Sequence, residues 1–239
     1  MTNPALLNNV QHQRLRVITR YAREFGHSVN QVLVFPTEFA EIQREYPILL
    51  SKAPGGEFQA VALLGFDKDE NVFLEDRGWA ARYVPAVLAR GPFSIGLPRD
   101  ASDGAEPMIH VDLDDKRVNE REGEPVFLPQ GGNSPYLDHI ALMLRVIHEG
   151  VAVAKRLYAA WEQEGLIAPL AVEIKVSDTK QYNIANFFTI ATDKLAQLDG
   201  AALERLHKHG FLQPAFLMLS SLGNVARLIE MKNRRGAAG

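Results

Sequence analysis

Apolar residues recur at spacings of three and four through Leu137, Ile140, Leu144, Ile147, Val151, Ala154, Leu157 and Trp161. That period predicts one long amphipathic helix over 135–164, ending near Gly165. Ahead of it the pattern shortens. Residues 12–18 and 31–35 are rich in β-branched residues and predict strands, the second closed by Pro36. A short helix follows, with Thr37 placed to cap it and Phe39, Ile42 and Tyr46 on one face, until Pro47 disfavours its continuation. Ile48-Leu49-Leu50 reads as a buried strand, Pro54-Gly55-Gly56 as a turn, 58–66 as the hairpin partner, and Asn71–Leu74 as another short strand.

Past the helix, 170–176 and 182–190 alternate like two arms of a hairpin turning at Asp178-Thr179-Lys180. Leu195, Leu198, Leu203 and Leu206 predict one or two short helices closed by Gly210, and a last helix spans about 214–232. The basic tail 233–239 is expected to fray. Gln130–Ser134 is the best boundary between a strand-rich part (10–128) and a helix-rich part (135–232). The expectation is an α+β fold, a single domain over 1–239, with a strand-rich N-terminal half packed on the long helix and a C-terminal hairpin and helices.

The densest cluster of distinctive residues is Gly78–Phe93, with Trp79, Arg82, Tyr83, Pro85, Arg90 and Pro92. Tyr83, Val87 and Arg90 share a helical face and Pro85 fits only a first turn, so a short helix ended by Gly91-Pro92 is expected. Phe93–Leu97 then resumes extended structure, and Met108–Leu113 alternates as a half-buried strand does.

Composition narrows the function classes. A chain of 239 residues with 46% hydrophobic content can bury a sizeable core. Its 26 Lys and Arg against 29 Asp and Glu give a net charge of -3, which argues against nucleic acid as a partner. No cysteine is present, so disulfides, thiolate catalysis and Cys-ligated metals drop out. The first residues lack a basic segment followed by an apolar run, and no apolar run is long enough to span a membrane. The expectation is a soluble cytoplasmic protein without a membrane span.

No phosphate loop, dinucleotide fingerprint or HExxH motif is found, and no cofactor is expected. Around Ser94 a nucleophile elbow fails because Pro92 stands where Gly is needed. His110 and Asp112 point to one face of a strand and could join His139 or His148 in a facial iron triad; an alternating strand explains them better. Residues 100–124 carry nine acidic side chains against three basic ones, and Glu120, Glu122 and Glu124 among them read as a solvated surface. Arg82 and Arg90 are expected to pair with Glu45 or with the acidic segment, or to hold a carboxylate-bearing ligand. Glu45, Trp79, Arg82, Tyr83 and Arg90 are therefore the candidate contacts for a ligand or partner.

A set of blocks in order gives a resemblance to the bacterial SapC family. These are Phe35-Pro36-Thr37-Glu38-Phe39, Glu45-Tyr46-Pro47-Ile48, Ala62-Leu63-Leu64-Gly65, Asn71–Leu74, Trp79-x-x-x-Tyr83-Val84-Pro85, Arg90-x-Pro92-Phe93 and Gly123–Phe127. Leu206–Gly210 and Leu219–Val225 resemble its closing helices. The resemblance implies a proteobacterial protein of a family named for surface-layer gene clusters, whose members often occur beside outer-membrane receptors, flavin-dependent halogenases or oxygenase-like proteins. It supplies no catalytic residue set to carry over, and His110 departs from its pattern. The reading favoured is a non-catalytic accessory protein with a protein or peptide partner. An enzyme with an unfamiliar site around Arg82, Arg90 and Glu45 is the alternative.

Overall fold

The computed structural model describes residues 3–76, 78–96, 107–175 and 181–237. It is an α+β fold in two compact units, each assembled from two stretches: Met1–His27 with Ala86–His148, and Ser28–Pro85 with Glu149–Gly239. The long helix, Pro135–Gln163, contributes to both, its residues up to His148 belonging to the first unit. Buried Ser134 starts it by accepting the Leu137 N–H on its hydroxyl (3.2 Å), with Pro135 at the first helical position.

In the first unit two small antiparallel sheets lie against that helix. One orders Pro4–Leu6, Met108–Asp112 and Phe93–Gly96; the other orders Val118–Asn119, Arg16–Val17 and Glu124–Pro125. Leu15, Val17, Phe93, Val111 and Val126 from these strands and their flanks form one core with Leu137, Ile140 and Leu144 of the helix. Each such side chain contributes roughly 1.5–3 kcal/mol when fully buried. The helical period read from the sequence is what aims those three residues at the sheets.

The second unit holds a five-stranded antiparallel sheet in the order Ile167–Lys175, Gln181–Ile190, Ile48–Lys52, Phe58–Leu63, Gln31–Val34. The hairpin expected over 48–66 forms, with Leu50 opposite Ala60. Helices Thr192–Ala196, Gly200–Lys208, Leu212–Ser221 and Asn224–Ala237 follow. Asp199 caps the second of these through the Ala202 N–H (2.7 Å), and Gly210 ends it at φ 72°. Buried Ser221 accepts the Ile48 N–H at 2.9 Å, and the Trp161 indole donates to the Phe211 carbonyl at 2.9 Å. Both bonds satisfy polar groups that burial would otherwise strand.

Several local expectations change. Within 12–18 only Arg16–Val17 is strand, because the Asn8 side chain accepts the Gln11 N–H (2.8 Å) and the chain winds through turns to Leu15. Asn71–Leu74 gives way similarly: the Asn71 side chain accepts the Phe73 N–H (3.0 Å), and strand begins only at Leu74–Glu75, paired with Gly78–Trp79. Thr37 lies inside a 3-10 turn, Pro36–Glu38, that Glu38 caps instead, by accepting the Phe35 N–H at 3.1 Å. The last helix is two, broken at Leu222-Gly223, and Asn224 starts the second by donating its side-chain amide to the Gln43 and Tyr46 carbonyls. The tail is helical through Ala237, held where Arg235 donates to the Asn71 and Leu74 carbonyls. The turn placed at Asp178–Lys180, Leu97, and the acidic residues Asp100, Asp103 and Glu106 lie outside the described residues.

Gly150 sits in mid-helix, where alanine ordinarily gains about 1 kcal/mol. Here an added Cβ would lie 2.4 Å from the Phe35 Cβ and 2.7 Å from the Thr37 hydroxyl. Gly150→Ala is therefore expected to destabilise, by about 1–3 kcal/mol. Chemical denaturation checks it: a midpoint at or above that of the wild type would contradict this packing.

Candidate functional site

Four of the five residues singled out in the sequence, Glu45, Trp79, Arg82 and Tyr83, fall in the second unit, where they join a network of internal bonds. The Trp79 indole donates to the Tyr46 hydroxyl (2.7 Å), which donates to the Tyr83 carbonyl (2.5 Å). Tyr83 in turn donates its hydroxyl to the Glu38 carboxylate at 2.9 Å. Tyr46 is 0% and Glu38 2% exposed, so each polar atom needs such a partner. Burial first, and then the neighbouring Glu38 charge, push the Tyr83 hydroxyl well above the usual tyrosine range. It is a donor at any physiological pH.

Glu45 does not pair with the Arg82 side chain. One carboxylate oxygen accepts the backbone N–H groups of Arg82 (2.8 Å) and Tyr83 (3.4 Å), and the other faces the Arg227 guanidinium at 3.3 Å. The arginine that meets Glu45 comes from the last helix, which spacing could not reveal. Arg82 leaves its side chain exposed. Arg90 belongs to the first unit, where it donates to the Phe93 carbonyl. Its short helix is Ala86–Ala89, directly after Pro85, and is closed by Gly91 at φ 58°.

The first unit also contains a pocket of about 240 Å³ that sequence reasoning missed. Its walls come from residues 17–21, His27, Leu88, Ala89, Gly91, Arg117, Glu124, Tyr136 and His139. Arg117 is fixed there by Asp115, whose two oxygens accept Nε at 2.9 Å and Nη2 at 2.6 Å; their side chains are 13% and 20% exposed. Burial alone would raise the Asp115 carboxyl, but Arg117 holds it below the usual range. The third guanidinium nitrogen, Nη1, is left without a hydrogen bond to the described residues and flanks Gly91, as does the Tyr136 hydroxyl. A Cβ on Gly91 would come within 3.8 Å of that nitrogen and 3.5 Å of that hydroxyl, so the missing side chain keeps the space between the two donors open. Burial raises the Tyr136 hydroxyl above its ordinary value although Arg117 pulls the other way.

His27 is 3% exposed, and its Nδ1 accepts the Ala22 N–H at 3.0 Å, which fixes the proton on Nε2. Burial and then the Arg117 charge push it down to about 4. It is thus a neutral wall of the pocket at neutral pH. The arrangement places two donors, one of them held by Asp115, beside Gly91 and against a wall of apolar and aromatic groups. Nothing local in the sequence advertises it, because Tyr21, Gly91, Arg117 and Tyr136 are far apart along the chain.

The iron reading finds other uses for its residues. His110 covers Gly96 across the strand pair, where an added Cβ would lie 2.6 Å from its ring, and Asp112 accepts the Asn3 N–H at 2.8 Å. Among the described residues, no three histidine or carboxylate side chains converge as a metal site requires. Glu120, Glu122 and Glu124 are exposed, as expected.

A family model described as SapC matches residues 7–228. The chain belongs to the SapC family. That match spans nearly the whole chain and takes in both units, the bonded Trp79–Tyr83 network and the Arg117 pocket. No match is found among curated proteins or among solved structures.

Two measurements test this geometry. Tyr46→Phe removes the bridge between Trp79 and Tyr83 and should cost about 1–3 kcal/mol in denaturant unfolding, whereas Tyr158→Phe should cost nothing. The Tyr158 hydroxyl is buried beside the Ala60 backbone without a hydrogen bond of normal geometry. Equal effects would contradict the network. As pH falls from about 6.5 to about 4 the unfolded chain protonates His27 first, so stability should fall across that window and level off below it. The loss is on the order of 2–3 kcal/mol. His27→Asn, whose carbonyl can stand in for Nδ1, should flatten that part of the pH curve.

Proposed function

We propose that this SapC-family protein is a non-catalytic binding or accessory protein, resident in the cytoplasm, that serves a surface-layer, outer-membrane receptor or peptide-modifying system and engages a protein or peptide partner. The observation that carries the reading is the Arg117 pocket: a guanidinium already fixed by Asp115, with Nη1 and the Tyr136 hydroxyl flanking an open glycine. Such a donor pair needs no rearrangement to receive a ligand, which lowers the entropic cost of binding.

The network around Tyr46 supports the same reading from the second unit. Glu45 is engaged by two backbone N–H groups and by Arg227, so it acts as a brace for the 82–83 backbone. An enzyme built on Arg82, Arg90 and Glu45 is the weaker reading, because each of those groups is engaged separately or, for Arg82, left at the surface. Of the contacts expected from the sequence, exposed Arg82 is the one suited to touching a partner.

Native pull-down from the source organism with mass spectrometry tests the proposal. A reproducible partner retained by the wild type and weakened several-fold by Arg82→Glu or Arg117→Ala, with the fold intact by circular dichroism, is the expected result. Recovery of nothing above background would overturn the accessory role.

A further inference from the structure

We infer that the Arg117 pocket takes a small monocarboxylate with an apolar or aromatic body; this inference rests on the reading of the first unit as a binding module. Three observations lead there. The two donors flanking Gly91, Arg117 Nη1 and the Tyr136 hydroxyl, both seek an acceptor oxygen, and Asp115 occupies the remaining nitrogens of the fork. A carboxylate offers two such oxygens at once.

The charge balance selects a single negative charge. The charged groups on the pocket wall are Arg20, Arg117 and Glu124, with Asp115 bonded to Arg117; Arg117 and Asp115 are the less exposed of these. Nearby Arg90 is held below its usual basicity first by burial and then by the Arg117 charge, with Asp115 pulling the other way. Arg20 is already paired with Glu24 at the surface, and Glu124 is exposed on the pocket wall, so a dianion would meet repulsion without a second free cation. His27 adds none, since its Nδ1 is occupied by the Ala22 N–H.

Size and lining set the rest of the ligand. About 240 Å³ is below the roughly 300 Å³ at which pockets begin to enclose drug-sized molecules, so a fragment the size of benzoate or of one terminal amino acid fits. Val17, Leu88, Ala89 and the ring of Tyr21 offer apolar contact for its body. Two sources share this chemistry, a free small acid and the C-terminus of a peptide.

Isothermal titration of the full chain with four probes decides the matter: benzoate, benzamide, a pentapeptide ending in phenylalanine with a free carboxylate, and the same peptide as its amide. At least one free carboxylate should bind ten-fold or more tightly than its amide, and Tyr136→Phe should weaken that binding about five-fold while leaving the unfolding midpoint unchanged. Benzoate alone binding identifies a free acid, and the peptide acid alone identifies a peptide terminus. Equal affinity for acids and amides, no binding of either acid at 10 mM, or binding indifferent to Tyr136→Phe each overturns the inference. A pure-protein titration also separates the two proposals. Acid binding without any partner in the pull-down would sink the accessory role alone, and a partner without acid binding would sink the carboxylate alone.

Discussion

The second unit is closed around two polar side chains that could be buried only by bonding them, the Glu38 carboxylate and the Tyr46 hydroxyl. A buried carboxylate without partners costs many kcal/mol, so its acceptor capacity dictates what lies around it. Glu38 takes the Phe35 N–H and the Tyr83 hydroxyl; Tyr46 takes the Trp79 indole and gives its proton to the Tyr83 carbonyl. Two segments distant in sequence, 35–46 and 79–83, are thereby locked together. The last helix joins them through Asn224 and Arg227.

This constraint gives the distinctive residues of the Trp79–Tyr83 stretch a structural use. Its aromatic and acidic contacts keep a non-regular stretch of backbone in place, with Tyr83 held far above its ordinary ionisation by burial and Glu38. Beyond it the chain enters the first unit at Ala86, and there Gly91 and Arg90 take different roles. Gly91 leaves room between two donors, and Arg90 adds positive charge to the surroundings. One contiguous run of sequence thus serves as a brace in one unit and as part of a pocket wall in the other.

How much was legible in the sequence follows from the range of the forces involved. The long helix and the 48–63 hairpin rest on periodicity and turn residues, and both were read with their boundaries nearly right. Where a side chain competes locally with the backbone, as Asn8 and Asn71 do, apolar composition misled and a strand was expected where turns form. The break at Leu222-Gly223 was hidden because apolar periodicity continues across it. The pairing of Glu45 with Arg227 and the fork between Asp115 and Arg117 beside Tyr136 are decided by tertiary placement, which a single sequence carries only implicitly. Arg82 and Arg90 stand out by proximity in sequence, whereas Arg117, inside the acidic run 100–124, lines the pocket.

Hydrogen exchange of the two tryptophan indole N–H groups, followed by NMR, probes the central claim that a buried polar network organises the second unit. Trp161 reports on ordinary core burial, its indole bonded to the Phe211 carbonyl. Trp79 is only partly buried, so strong protection of its indole requires the bond to Tyr46. Exchange of Trp79 within about ten-fold of Trp161 is the result the network requires. A Trp79 indole exchanging at the rate of a free solvent-exposed tryptophan, beside a slow Trp161, would contradict it.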